Sequence, residues 1–121
     1  MTTPPAVPPQ PLAIPLAPAV RAAYQNLYDK YETAIENTTD VDILTALNAS
    51  QEDVDDILTK DTTYRLHADT ALFQALLSQI NNTNADLNKL QAQIAAVASH
   101  IAMAGEILAA INKVLTLVPG A

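Results

Sequence analysis

The chain contains no cysteine and no tryptophan, and only two of its 121 residues are glycine, Gly105 and Gly120. The absence of cysteine excludes disulfides, thiolate metal sites and a cysteine nucleophile. The shortage of glycine disfavours folds that depend on tight turns and phosphate-binding loops. No segment alternates apolar and polar residues for long enough to predict a strand. These absences favour an all-α protein.

Positive charge is also scarce in this sequence. Six basic residues stand against thirteen acidic ones, which gives a formal net charge of −7. The basic residues are scattered along the chain: Arg21, Lys30, Lys60, Arg65, Lys89 and Lys113. An acidic surface without a basic patch repels a phosphate backbone, so we expect no nucleic-acid partner.

The clearest pattern is a C-terminal series of apolar residues spaced alternately by three and four. Its members are Leu87, Leu90, Ile94, Val97, Ile101, Ala104, Leu108, Ile111, Leu115 and Val118. This spacing keeps one apolar stripe on one side of a helix, which other helices must cover. It predicts a last helix over residues 84–118, about 52 Å long at ~1.5 Å per residue. Pro119 and Gly120 are expected to end that helix.

Earlier segments have similar helical patterns. One apolar stripe predicts a helix over residues 19–37, and a shorter apolar pattern predicts a short helix over residues 40–48. Two apolar stripes predict a further helix over residues 51–80. The helix starts are marked by pairs typical of capping boxes, which are Thr39 with Asp42, Ser50 with Asp53, and Thr83 with Asp86. Asn81 and Asn82 are expected to end the helix that precedes the last one.

Seven of the eight prolines lie within residues 1–18. Because proline fixes φ and removes a backbone donor, we predict an extended or disordered proline-rich arm there, followed by a helical domain over residues 19–118. The arm either lies along this domain or docks on a partner. The short turns favour antiparallel neighbours. We therefore predict an all-α, antiparallel up-down-up helical bundle, with three long helices of which the first is broken near residue 39, or with four helices.

Residues that could support chemistry are few. An acidic cluster over residues 40–61 lacks the glycine and the closing glutamate of a calcium loop, and no glutamate is followed three residues later by histidine, as di-iron bundles require. Acidic side chains on a solvated helix face explain this cluster more simply. His67 and His100 could meet and share a metal or a proton relay, but two isolated imidazoles are the more ordinary interpretation. We expect no catalytic residue, no metal site and no cofactor.

The last predicted helix carries small and apolar residues beyond its stripe. We interpret them as an interaction surface formed by Ala95, Ala102, Met103, Ile107, Ala109, Ala110, Val114 and Leu117. Small side chains let helix backbones approach closely, so this surface predicts a homo-oligomer or a complex with another helical protein. Residues 94–111 also approach the profile of a membrane span, although His100, Glu106 and the sustained stripe favour a helix buried in a bundle.

The functional expectation is a non-enzymatic helical interaction or self-assembly module. The alternative is an exported or membrane-active helical protein whose weakly charged C-terminal helix inserts in lipid. The N-terminus has no positive region followed by an uninterrupted apolar run, so we expect no signal peptide. We expect a soluble protein that is cytoplasmic or is exported without a cleavable signal.

Overall fold

The computed structural model describes residues 14–101 and 103–118, and for His100 only the backbone. This part of the chain is all-α, as predicted. It forms four α-helices and one 3₁₀ turn, which are α1 (Pro18–Asn37), α2 (Val41–Leu66), α3 (Thr70–Ala96), the 3₁₀ turn (Ala98–His100) and α4 (Ala104–Leu117). Most of the predicted proline-rich arm and the predicted stop at Pro119 and Gly120 lie outside the described residues.

The four helices form an antiparallel bundle. Helix α1 packs against α2 and α4, and α3 packs against the same two helices, so that the helices close into a ring. Three-residue connections join α1 to α2 and α2 to α3. Helices joined by such short connections run antiparallel to each other. The predicted helical bundle is confirmed, in its form with four helices.

The first helix begins and ends as the sequence predicts. Pro18 occupies its first turn, where the missing N–H breaks no helical hydrogen bond. Asp40 then caps α2, because its side chain accepts a hydrogen bond of 3.2 Å from the backbone N–H of Ile43. The cap on α2 is therefore Asp40, one residue after the predicted Thr39.

The prediction of separate helices over residues 40–48 and 51–80 is wrong. Helix α2 runs from Val41 to Leu66 and has no break at residues 49–50, where the two predicted helices would be separated. Ser50 does not cap a helix, because it is buried and its hydroxyl lies 2.7 Å from the hydroxyl of Tyr31. The chain turns instead at residues 67–69, where Asp69 caps α3 through a 3.0 Å hydrogen bond from the N–H of Leu72.

The predicted helix end at Asn81 and Asn82 is also wrong, since α3 runs through both residues. Thr83, predicted to cap the last helix, is buried inside α3. Its hydroxyl accepts a 3.1 Å hydrogen bond from Gln79, four residues earlier. Thr83 can therefore occur within this helix because its hydroxyl has a partner there, and Asn81 and Asn82 are exposed to solvent.

The long last helix of residues 84–118 is divided in the structure. Helix α3 ends at Ala96 and α4 begins at Ala104, after the 3₁₀ turn. Met103 adopts the left-handed conformation with φ of 60°, which costs a residue with a side chain about 1 kcal/mol. The break shifts the phase of the apolar stripe, so that Ile107 and Val114 are buried while Leu108 and Leu115 are half-buried.

The core lies on the bundle axis and draws on all four helices. Ile94, near the end of α3, and Ile101, within the break, are both buried, as the apolar stripe predicts. The largest side chains without solvent contact are Tyr24, Tyr31, Leu16, Leu27, Leu47, Ile57, Leu76, Ile80, Leu87, Ile94, Ile107 and Ile111. Leu16 precedes α1, so the end of the predicted arm packs into the bundle.

Candidate interaction surface

The structure divides the eight residues of the predicted interaction surface. Ile107, Ala110 and Val114 are buried in the core of the same chain. Their apolar side chains pack against other helices of the same bundle, so they are not available to a partner. The predicted stripe still points inward in part, since Ala104 and Ile111 are buried, but after the break at residues 97–103 the inward face of α4 also includes these three residues.

The other members lie at or near the protein surface. Ala95 and Ala109 are exposed, whereas Met103 and Leu117 are half-buried. Ala95 belongs to α3 and Ala109 to α4, and these two helices are neighbours in the ring. Ala102 lies outside the described residues. The accessible part of the predicted surface therefore extends over two helices.

The outward face of α4 carries no charged side chain along its centre. Six uncharged residues at helical spacing form this face, which are Gly105, Leu108, Ala109, Asn112, Leu115 and Thr116. Leu108 and Leu115 are half-buried at its edge and pack against the core. An extra Cβ at Gly105 would meet no atom within 4 Å, so the surface is open there. Together with the exposed Ala95, we call this face the α3–α4 surface.

The two charged residues of α4 lie to one side of this surface. Glu106 accepts a hydrogen bond of 3.1 Å from the ammonium group of Lys30, which belongs to α1. Lys113 is exposed one heptad further along the helix. Because the Glu106 carboxylate has a partner within the chain, its negative charge is partly compensated beside the α3–α4 surface.

Charge is distributed unevenly between the two halves of the chain. Residues 1–69 contain eleven acidic and four basic residues, whereas residues 70–121 contain two of each. The formal charge of −7 therefore belongs entirely to the first half, which forms α1 and α2. One side of the bundle is acidic and the side formed by α3 and α4 is neutral.

A buried carboxylate ties the chain before α1 to the end of α2. Asp61 has no solvent exposure, and its Oδ1 accepts a 2.8 Å hydrogen bond from the backbone N–H of Leu16. Its Oδ2 accepts from Arg21 at 2.6 Å and from Arg65 at 2.9 Å. Arg65 also donates to the carbonyl of Leu16. The expectation that Asp61 is a solvated acid is wrong, because two guanidinium groups and a backbone amide hydrogen-bond to it in the interior.

Two buried tyrosines connect helices through side-chain hydrogen bonds. Tyr24 donates to the amide oxygen of Asn84 at 2.9 Å, and Asn84 donates to the carbonyl of Val118 at 3.3 Å. Tyr31 pairs with Ser50. Burial raises the pKa of both tyrosines, and the hydrogen bonds to Asn84 and Ser50 oppose that rise. Both phenols are therefore held neutral, as expected of structural groups.

The predicted acidic cluster does not converge in the structure. Asp40 caps a helix, Asp61 is buried, and Asp42, Glu52, Asp55 and Asp56 are exposed along α2. Among the described residues, no group of three or more histidine or acidic side chains has the geometry to hold a metal ion. His67 is exposed at the end of α2, and the side chain of His100 lies outside the described part of the chain.

No protein-family model, curated protein or solved structure matches this chain. Within the described residues, no helix combines the length and the apolar character needed to cross a membrane. The features of this protein that bear on its function are the α3–α4 surface and the distribution of charge around the bundle.

Proposed function

We propose that this protein is a non-enzymatic helical interaction module that associates with a second copy of itself through the α3–α4 surface. One observation supports the proposal: α4 buries one face in its own bundle, and the centre of the opposite face, formed by Gly105, Ala109, Asn112 and Thr116, carries no charged side chain. A helix face without a charge at its centre can be covered by another helix without burying an unpaired charge. A second copy supplies the cover on the outer face.

The charge distribution favours a second copy as the partner. Two chains that each carry a formal charge of −7 repel each other if their acidic sides meet. The α3–α4 side contains as many basic as acidic residues, so contact there brings little charge together. Gly105 and Ala109 are one turn apart and exposed, which allows two α4 helices to approach closely.

Sedimentation equilibrium of the wild-type chain and two matched variants tests this proposal. Ala109→Glu places a carboxylate at the centre of the α3–α4 surface, and Ala22→Glu makes the same change at an exposed position of α1. We expect the wild type and Ala22→Glu to form the same dimer, and Ala109→Glu to dissociate at least about tenfold more readily, a loss of ~1.4 kcal/mol. A wild-type monomer, or equal effects of both variants, contradicts the proposal.

A second candidate function is insertion of the C-terminal helix in lipid. It is supported by the composition of α4, in which Glu106 and Lys113 are the charged residues among fourteen. Opening of the bundle would expose the buried face of α4 to a membrane. Flotation with neutral and with anionic vesicles tests this candidate. Association of the wild type with vesicles, and its loss in Ile107→Asp but not in Ala22→Glu, would support it; no association with either vesicle type would reject it.

A further inference from the structure

The connection between α2 and α3 forms one tip of the bundle, and its residues His67, Ala68 and Asp69 are all exposed. No residue from Thr62 to Ala75, a stretch described throughout, is buried. The stretch nevertheless contains large apolar side chains, and Leu66 is 73 % exposed. Tyr64, Leu72 and Phe73 in the same stretch are half-buried, so part of their apolar surface is open to a further contact.

Two aromatic rings form a groove on this tip. The centroids of the Tyr64 and Phe73 rings lie 6.2 Å apart, with the ring planes inclined by 59°. The groove has a volume of about 420 Å³ and is also lined by Ala68, Asp69, Thr70 and Gln74. Grooves lined by aromatic side chains are the surfaces on which proline-rich segments dock, because the rings pack against the pyrrolidine faces.

The described structure begins at Ile14, and Leu16 is held by the turn of α2 that also contains Tyr64. Asp61 and Arg65 hold both backbone polar groups of Leu16, so the position of the arm is fixed one residue away from Tyr64 along α2. Residues 1–13 precede this point and span up to about 40 Å at ~3.1 Å per residue. The helix rises only about 8 Å from Asp61 to Leu66. The arm is therefore several times longer than the distance that it must cover.

The composition of the arm matches the groove. Residues 1–13 contain five prolines and no charged side chain, and Pro8 and Pro11 have the spacing of a typical proline-rich ligand. A tethered segment is present at an effective concentration in the millimolar range, so that even a weak contact is occupied. We propose that the groove between Tyr64 and Phe73 is the docking site of this chain's own residues 1–13. The proposal is independent of association through the α3–α4 surface.

Paramagnetic relaxation enhancement tests this docking directly. Since the natural chain has no cysteine, Ala6→Cys provides a single attachment site for a nitroxide. We expect the amide signals of residues 64–74 to lose most of their intensity in the labelled full-length protein and to recover when the nitroxide is reduced. Unchanged signals in this stretch would overturn the proposal.

Two controls test whether the arm contacts this groove and whether the arm comes from the same chain or from a second copy. Tyr64→Ala should abolish the broadening, whereas Tyr28→Ala, which removes a half-buried tyrosine from α1, should leave it intact. Circular dichroism confirms that both variants remain helical. In a mixture of spin-labelled unenriched chains and unlabelled ¹⁵N chains, broadening at residues 64–74 would place the arm on a second copy and overturn docking within one chain.

Discussion

The hydroxyl groups of Tyr31 and Ser50 lie 2.7 Å apart in the interior of the bundle, where α1 packs against α2. Ser50→Ala leaves the Tyr31 phenol buried without this partner, so we expect the free energy of unfolding to fall by about 1–2 kcal/mol. Tyr31→Phe should cost less, since a helical serine can donate to the carbonyl four residues earlier.

Urea unfolding of the two single variants and the double variant measures this coupling. The double variant should be less destabilised than the sum of the single changes, because it leaves no unpaired hydroxyl from this pair. Strict additivity would show that the two hydroxyls do not depend on each other in solution.

Asp61 provides a second test of the buried polar contacts. In Asp61→Asn the side chain keeps its shape, but its NH₂ group replaces an acceptor oxygen where three donors converge. We expect a loss of about 1.5–3 kcal/mol in the free energy of unfolding, the range for hydrogen bonds to charged groups. The matched change Asp56→Asn, at an exposed position of the same helix, should stay within about 0.5 kcal/mol. Equal effects would mean that Asp61 is solvated.

Asp53 gives the stability a pH dependence of predictable sign. Burial raises its pKa above the usual value of 3.8, and the carboxylates of Asp86, Asp56 and Glu52 raise it further. Lys89 lies in the same cleft between α2 and α3 as Asp53 and Asp86. The native state therefore binds this proton more tightly than the unfolded chain, so the contribution of Asp53 to stability decreases as the pH rises through its titration.

Asp53→Asn removes that contribution. At neutral pH we expect the variant to be as stable as the wild type or more stable, by up to about 0.5 kcal/mol because the site is partly solvated. The difference should vanish below pH 3.8, where the carboxyl is protonated in both states. Urea unfolding across this pH range, with Asp55→Asn as a control for the loss of one charge, checks the sign. A variant that is less stable at neutral pH would contradict it.

Ile101 and Glu106 test the position of the break between α3 and α4. Ile101 is 6 % exposed, so Ile101→Asp buries an unpaired carboxylate and should cost about 3 kcal/mol or more. Glu106→Ala removes an exposed ion pair with Lys30 and should cost less than about 1 kcal/mol. Ile101→Ala separates the cost of the cavity from that of the charge. Thermal or urea unfolding of these variants measures each cost, and a reversed order would mean that the inward face is assigned incorrectly.

The fold class and the first helix could be predicted from the sequence because apolar periodicity decides which helix face is buried. The start of α2 and the end of α4 also lie within one residue of the predicted positions, whereas the end of α2, both ends of α3 and the start of α4 could not be predicted. Ser50 and Thr83 resemble N-terminal caps locally, yet in the structure their hydroxyls bond to side chains inside the bundle. The choice between capping and burial depends on partners that are distant in sequence, such as Tyr31, which lies nineteen residues before Ser50.

The break at residues 97–103 has no local signal either, since this segment contains neither glycine nor proline. Alanine-rich sequence favours an unbroken helix, and packing against the rest of the bundle overrides that preference. This break explains why three residues of the predicted interaction surface are buried. The cluster around Asp61 and the groove beside Tyr64 were missed because their partners come from different helices.

An isotope-filtered NOE experiment on mixed ¹³C-labelled and unlabelled chains detects contact between two copies across the α3–α4 surface. Dimerisation through this surface predicts cross-peaks between copies from the methyl groups of Leu108, Ala109 and Leu115. Intermolecular cross-peaks that arise only from α1 or α2, or none at concentrations suited to NMR, would contradict it.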